Sequence, residues 1–465
     1  MTNPLLNFKQ TPHFETIEAK HVIPALEAIL KESRANIAEL QQIACPDWQN
    51  FTYKMECIDE RLSRVWSPVS HLNSVCDSEE LRAAYQSGID LLTAYHSEVG
   101  QNKELFAQYT KIRQSEQWLT LTKAQKKLIE NSLLDFKLSG AELSHDEQTR
   151  LTEIDQKLSQ LSNKFERNLL DATQAWSLLI SDQSRLQGLP QSALDMAQQS
   201  AVSEDQQGWL FSLQIPSYLA VMQHAQDQQL RQKLYQAYTQ RASELTDDGR
   251  FDNAPLIDSI LELKHARAKL LGFTDFAQYS LIKKMASSSE GVVDFLTELA
   301  QHAKPTAVQE LADLKQFTAQ RYQQTDLKPW DINYYSERLR EHQYAFNDEE
   351  IRPYFAAKQV FEGMFEVARS LFGIEFQIND DLQVWHSDVV CFDLAASDNG
   401  EVIGSLYADL YVRKNKRGGA WMDSCIHRQR QEHSLQKPVA FLNCNFTPPL
   451  GNDPALLSHN EVETL

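Results

Sequence analysis

The sequence predicts a mainly α-helical protein with elongated helical lobes and a small β-sheet near its C-terminus. Three observations carry this prediction. Apolar residues recur at spacings of three and four from about residue 20 to residue 373. After Gly373 the period drops to two. Glycine and proline number only 15 each in 465 residues, which favours long regular elements over loops.

The elements follow in order. From about residue 20 to 180 the pattern is helical. Its clearest stretch is LTEIDQKLSQLSNKFERNLL, where Leu151, Ile154, Leu158, Leu161, Phe165 and Leu169 form one apolar stripe. Without a long charge code beside the stripe, an antiparallel bundle fits better than a free coiled coil. Gly188 to Pro216 changes character, with one short helix and then the strand-like run GWLFSLQIP. Helices resume in DQQLRQKLYQAYTQRAS and in LIDSILELKHARAKLLGF, the second capped at Gly272. GVVDFLTELAQHAKP predicts a helix that stops near Pro305, followed by a separate helix in QELADLKQFTAQRYQQ. PWDINYYSERLR reads as a helix start with its aromatics packed inward, or as part of a groove wall. EEIRPYFAAKQVFEGMFEVARSLFG gives one or two further helices ending at Gly373. Three strands then follow in LQVWHSDVVCFDLA, GEVIGSLYADLYV and PVAFLNCNF, with SDNG as the turn between the first two. Finally, Ser458 to Glu461 is a capping box flanked by the staple residues Leu457 and Val462, so a helix starts near Leu465. The regions divide as 1–187, 188–373 and 374–465, with no clean linker between them.

Composition excludes several function classes. With 45 Lys and Arg against 64 Asp and Glu, the formal net charge of -19 repels phosphate backbones, so no nucleic-acid partner is expected. Six sparse cysteines without C-x-x-C argue against a disulfide framework and fit a reducing cytoplasm. The start MTNPLLNFKQTPHF lacks a basic region followed by an apolar stretch, so no signal peptide is expected. Nothing approaches ~18 uninterrupted apolar residues, so no membrane span is expected either.

The 13 histidines show no zinc spacing. There is no His-Glu dipeptide, hence no H-E-x-x-H. The Glu-His pairs at His342 and His433 have Arg338 and Gln429 where an inverted motif needs histidine. No metal ligand and no catalytic residue is assigned. Nucleophile elbows and phosphate loops are absent, and Cys444 reads as an ordinary small strand residue. The most unusual stretch is YVRKNKRGGAWMDSC. Arg413, Lys414, Lys416 and Arg417 make either a solvated hairpin tip or a cationic edge, and Gly418 and Gly419 leave bare backbone that an extended peptide can approach.

YADLYVRKNKRGGAWMDSC, QKPVAFLNCNFTPP and LLSHNEVETL, together with WDINYYSERLR, RVWSPVSHLNSV and NPLLNF, resemble the thimet-oligopeptidase-like zinc metallopeptidases over the entire chain. The resemblance implies a two-lobed, zincin-like peptidase with a deep channel that admits short peptides. It implies Zn2+ on a helix bearing H-E-F-G-H, a motif that follows the family's counterpart of LLSHNEVETL. On that reading 1–187 is an N-terminal helical lobe, 188–373 continues the channel wall, and 374–465 holds the sheet and the start of a truncated zinc helix. This chain then carries no zinc and is inactive alone. An exposed surface is expected to drive non-native self-association. The resemblance also implies that Gly418, Gly419 and Ala420 contact substrate backbone. The alternative reading is a non-catalytic helical peptide-binding or scaffold protein, which stays monodisperse.

Overall fold

The computed structural model describes residues 3–8, 10–431, 434–449, 451 and 453–465. His433 therefore lies outside the described residues. The chain is mostly helical, as its 3.6-residue apolar period requires, and nine strands occur among the described residues. β1 (Ser177–Ile180) pairs antiparallel with β2 (Trp209–Ser212). A five-stranded sheet contains β3 (Ile374–Ile378), β4 (Val390–Ala396), β5 (Val402–Tyr411), β6 (Trp421–Ile426) and β9 (Val439–Phe446), and its spatial order is β3-β4-β5-β9-β6. β7 (Gln429–Arg430) and β8 (Leu435–Gln436) form a short ribbon.

This sheet joins the molecule because alternation sends its side chains into two cores. On β5, Tyr407 enters a core built with the helices of the first 141 residues, while Leu406, Ala408 and Leu410 enter another. On β9, Val439 and Phe441 take the first face and Cys444 and Phe446 the second. The second face is covered by the helix Ala357–Phe372 and by Val462 and Leu465 at the chain's last helix. A third core gathers Ile180, Phe211, Val221, Met222, Leu230 and Leu234, with Trp330 packed against it. Tyr407 and Phe441 are fully buried; each such aromatic contributes roughly 2–3 kcal/mol through removal of apolar surface from water.

Several sequence expectations need correction. The helical pattern runs to about residue 180 in the sequence, yet Ser177–Ile180 is a strand, because the apolar run after Trp176 pairs with Trp209–Ser212. Pro305 does not stop a helix. One helix runs Ser289–Tyr322 through it. The amide that proline lacks would have bonded the carbonyl of Gln301, and that stretch is solvent-exposed, so water can serve instead. In LQVWHSDVVCFDLA only Val390–Ala396 is strand. The preceding residues are irregular and place Trp385 against Phe14, His71 and Tyr407. An extra edge strand, Ile374–Ile378, follows the left-handed cap at Gly373.

His71, on the helix Tyr53–Val75, stacks on Phe441 at 3.7 Å between ring centroids and meets Trp385 edge-on at 4.1 Å. It is a core aromatic, and its Nε2 has no partner. Burial drives its pKa down to about 3. Between about pH 6.5 and 3 the unfolded chain therefore binds a proton that the folded chain refuses, so stability falls as pH falls through that window. The loss from this residue is about 1.4 kcal/mol per pH unit. His71→Phe is expected to flatten urea-unfolding stability between pH 6.5 and 4.5; an unchanged slope contradicts the assignment.

Candidate peptide-binding site

Asp409 lies in β5 directly opposite Asn443 of β9, on the face that buries Tyr407 and Phe441, and is itself fully buried. A carboxylate there needs partners, and the turn that follows supplies them. Arg413 donates from Nη1 to Oδ1 at 2.6 Å and from Nη2 to Oδ2 at 2.7 Å. Lys416 Nζ donates to Oδ1 at 2.6 Å, and Trp385 Nε1 to Oδ2 at 2.8 Å. Lys416 Nζ also donates to the carbonyls of Tyr411 at 2.9 Å and Cys444 at 2.6 Å. Burial alone would raise the Asp409 pKa; Arg413 and Lys416 together outweigh it and hold the group below the usual carboxylate range.

The solvated-tip expectation therefore fails for two of its four cations. Lys416 is inside and Arg413 nearly so, because the buried carboxylate of Asp409 draws them in. Lys414 and Arg417 are exposed. Of the turn's four cations only Arg417 is without an ion pair among the described residues, since Lys414 pairs with Glu204 and the other two serve Asp409.

The anchored turn sits against the end of the helix Tyr53–Val75. Arg413 Nη2 donates to the carbonyl of Val75 at 2.9 Å, the Asp77 amide to Asn415 O at 3.1 Å, and the Arg417 amide to Ser74 O at 2.8 Å. From β9, Asn445 Nδ2 donates to the carbonyls of Arg417 at 2.9 Å and Gly419 at 2.6 Å. Gly419 has φ of +99°, which a side chain would strain. Gly418 has nothing within 4 Å of where a Cβ would stand, so its backbone is bare. Both glycines line a cavity of about 650 Å³. Ala420 is exposed, just before β6, and is not among the cavity's lining residues. β6 is an edge of the sheet, and Ser67 Oγ covers one outward carbonyl, that of Ser424, at 2.9 Å.

The opposite wall comes from the helix His145–Ala175, with Glu166, Arg167 and Gln174, and from Tyr238 and Arg241 at the end of the helix Gln228–Gln240. Sequence reasoning missed these residues. Leu169, assigned to a buried stripe, is 37% exposed and lines the cavity, which is the signal that this helix changes role along its length.

Among the described residues no group of three or more His, Cys, Asp or Glu is placed to hold a metal ion. The residues present do not fit the zinc that the family resemblance implies. Burial pushes the Cys444 thiol up to about 11, which suits a packing residue and not a nucleophile. None of the six cysteines is in a disulfide, and among the described residues no helix is long and apolar enough to cross a membrane. The last helix, His459–Thr464, starts with the expected box: Ser458 Oγ accepts from the Glu461 amide at 3.3 Å, and Glu461 Oε2 accepts from the Ser458 amide at 2.6 Å. Glu461 Oε1 also accepts from the Thr447 amide at 2.7 Å, which ties the helix start to the end of β9.

Residues 221–465 match Peptidase family M3, and residues 26–150 match the N-terminal domain of neurolysin and thimet oligopeptidase. The chain is 46% identical to oligopeptidase A of Haemophilus influenzae over its whole length, spanning 68% of that protein. It is 44% identical to oligopeptidase A of Escherichia coli, spanning 69% of it. A solved chain described as an oligoendopeptidase F of Bacillus anthracis superposes with a TM-score of 0.52 at 13% identity, over 94% of this chain and 63% of that one. The helical fold, the two family matches and the whole-length kinship place this chain in peptidase family M3.

Proposed function

We propose that these 465 residues form the N-terminal part of a zinc-dependent oligopeptidase and build a wall and floor of the channel in which short peptides are hydrolysed. The observation that carries this reading is the whole-length kinship with oligopeptidase A, of which the chain spans 68–69%. The cavity beside the Gly418–Gly419 turn supports peptide entry, with Gly418 and Gly419 on its lining and Ala420 just past it offering backbone to an extended substrate. By itself the chain binds peptides without cleaving them, because its sequence offers no H-E-x-x-H. On the helix Ser289–Tyr322, Val293, Phe295, Leu296, Leu299 and Val308 stand 54–65% exposed, which supports self-association of the isolated chain.

The test is metal analysis together with a fluorogenic peptide assay on the purified 465-residue protein. Substoichiometric zinc and no chelator-sensitive turnover are expected, with light scattering above the monomer mass. A polypeptide that continues past Leu465 into an H-E-x-x-H helix is expected to gain hydrolysis. Chelator-sensitive cleavage by the 465 residues alone sinks the reading.

A further inference from the structure

We propose that the cavity beside the Arg417–Gly419 turn takes a carboxylate of the peptide, held by Arg167, Arg241 and Arg417, so that this wall selects acidic over neutral peptides. The proposal rests on the peptide-channel reading and names what that channel prefers.

Of the charged residues that line the cavity, Arg82 pairs with Asp77 and with Asp171 behind it, and Lys416 is committed to Asp409. What is left is Arg167, Arg241 and Arg417 against Glu166 alone. Among the described residues none of these three arginines makes an ion pair. Arg417 is exposed beside the glycine turn, with its guanidinium 5.8 Å from the Trp421 ring. Arg241 donates from Nη1 to the Tyr238 carbonyl at 2.8 Å and stacks on that ring at 3.6 Å. Its planar fork is thus oriented before any ligand arrives, which suits bidentate capture of a carboxylate. In a chain of net charge -19, three unpaired arginines around one cavity are a local reversal of sign.

Hydrogen bonding points the same way. Three buried polar atoms without partners belong to residues that line this cavity: Arg241 Nε, Gln174 Nε2 and Asn445 Oδ1. Two are donors; each atom is shut off from solvent as the side chains stand, so a carboxylate or peptide carbonyl meets them once those side chains turn into the cavity. The third is an acceptor on the residue whose amide nitrogen already clamps the carbonyls of Arg417 and Gly419. Such atoms are rarely left unmatched unless a ligand or water completes them. A peptide lying along the glycine turn would present amides to Asn445 and a carboxylate to the arginines.

The carboxylate has two sources, the peptide's C-terminus or an acidic side chain, and three probes separate them. Acetyl-pentaalanine amide is neutral, acetyl-pentaalanine has a free terminus, and acetyl-Ala-Ala-Glu-Ala-Ala amide has only a side-chain carboxylate. Each is titrated calorimetrically into the 465-residue protein at low salt. At least one acidic probe is expected to bind about tenfold more tightly than the neutral one, with the gap narrowing as salt rises. Which probe gains identifies the source. Arg417→Gln, at an exposed position, and Arg167→Gln are each expected to shrink the acidic-to-neutral ratio about threefold or more, with circular dichroism confirming the fold. Equal binding of all three probes, or a ratio that survives the double variant, overturns the proposal while the peptide reading stands. If no probe binds, the peptide reading falls and this proposal falls with it.

Discussion

Replacing Asp409 by asparagine is expected to lower the unfolding free energy by about 3–5 kcal/mol, the usual cost of removing one partner from a buried ion pair. One buried carboxylate faces two cations here, Arg413 and Lys416. Without its charge, the two cations repel each other in a site where Lys416 has no exposed surface. The measurement is urea unfolding at pH 7, read as a shift in midpoint at unchanged slope. Adding Lys416→Met to Asp409→Asn should cost less than the sum of the two single changes, since the second change then removes an uncompensated charge. A strictly additive double variant refutes the electrostatic account. Because the folded pKa of Asp409 lies below the usual carboxylate value, its stabilisation is present above about pH 4 and is lost as pH falls through the folded value. The wild-type protein should therefore lose this increment in acid, and the asparagine variant should not. The same variant should weaken peptide binding, for Lys416 and Arg413 also hold the turn that presents Gly418 and Gly419.

That network shows what the sequence conveyed and what it withheld. The alternation in GSLYADLYV marked β5, and it also placed Asp409 on the same face as Tyr407. A carboxylate on a buried face demands cations, and four basic residues followed within eight positions. The clue was present, but the charged run read as solvated because local composition says nothing about which buried group lies across the sheet. Local signals held well elsewhere. The SDNG turn joins β4 to β5, and the Ser458 box caps its helix, whose six residues gain from Leu457, Val462 and Leu465 packing on the sheet what nucleation costs. Long-range pairing was where reading failed. β1 looked like the end of a helix because its strand partner lies about 30 residues on, and Pro305 looked like a stop because solvent exposure of its turn cannot be read from one residue. The cavity was half legible. Its glycines stood out by composition, whereas Arg167 lies within one ordinary helix and Arg241 just past the end of another, and only the fold brings them to the same cavity.

Asp331→Ala is expected to be as damaging as the change at Asp409, for a related reason and in a different core. Asp331 begins the helix Pro329–Tyr344 and is fully buried; Arg231, on the helix Gln228–Gln240, is 2% exposed. Their Oδ1 to Nη2 distance is 2.6 Å. Further hydrogen bonds tie each partner in place. Asp331 Oδ2 accepts from Gln228 Nε2 at 2.8 Å and from the Lys328 amide at 3.1 Å, which also caps the helix. Arg231 donates from Nη1 to Ala225 O at 2.7 Å and from Nε to Trp330 O at 3.2 Å, and it lies 4.3 Å from the Tyr334 ring. Removing the carboxylate leaves a guanidinium with no water and no counter-charge, so a loss of about 3–5 kcal/mol follows. Two aromatics of PWDINYYSERLR are thereby explained as packing: Tyr334 lies over Arg231, and Trp330 packs on the neighbouring apolar core. The double variant Arg231→Met/Asp331→Leu supplies the decisive comparison. Desolvating two ions offsets most of what their attraction returns, so the apolar pair should recover at least half of the loss seen in Asp331→Ala. If the double variant is instead the less stable of the two, then the carbonyls of Ala225 and Trp330, deprived of their arginine donor, dominate the energetics, and the pair's worth lies in its hydrogen bonds rather than in its charge.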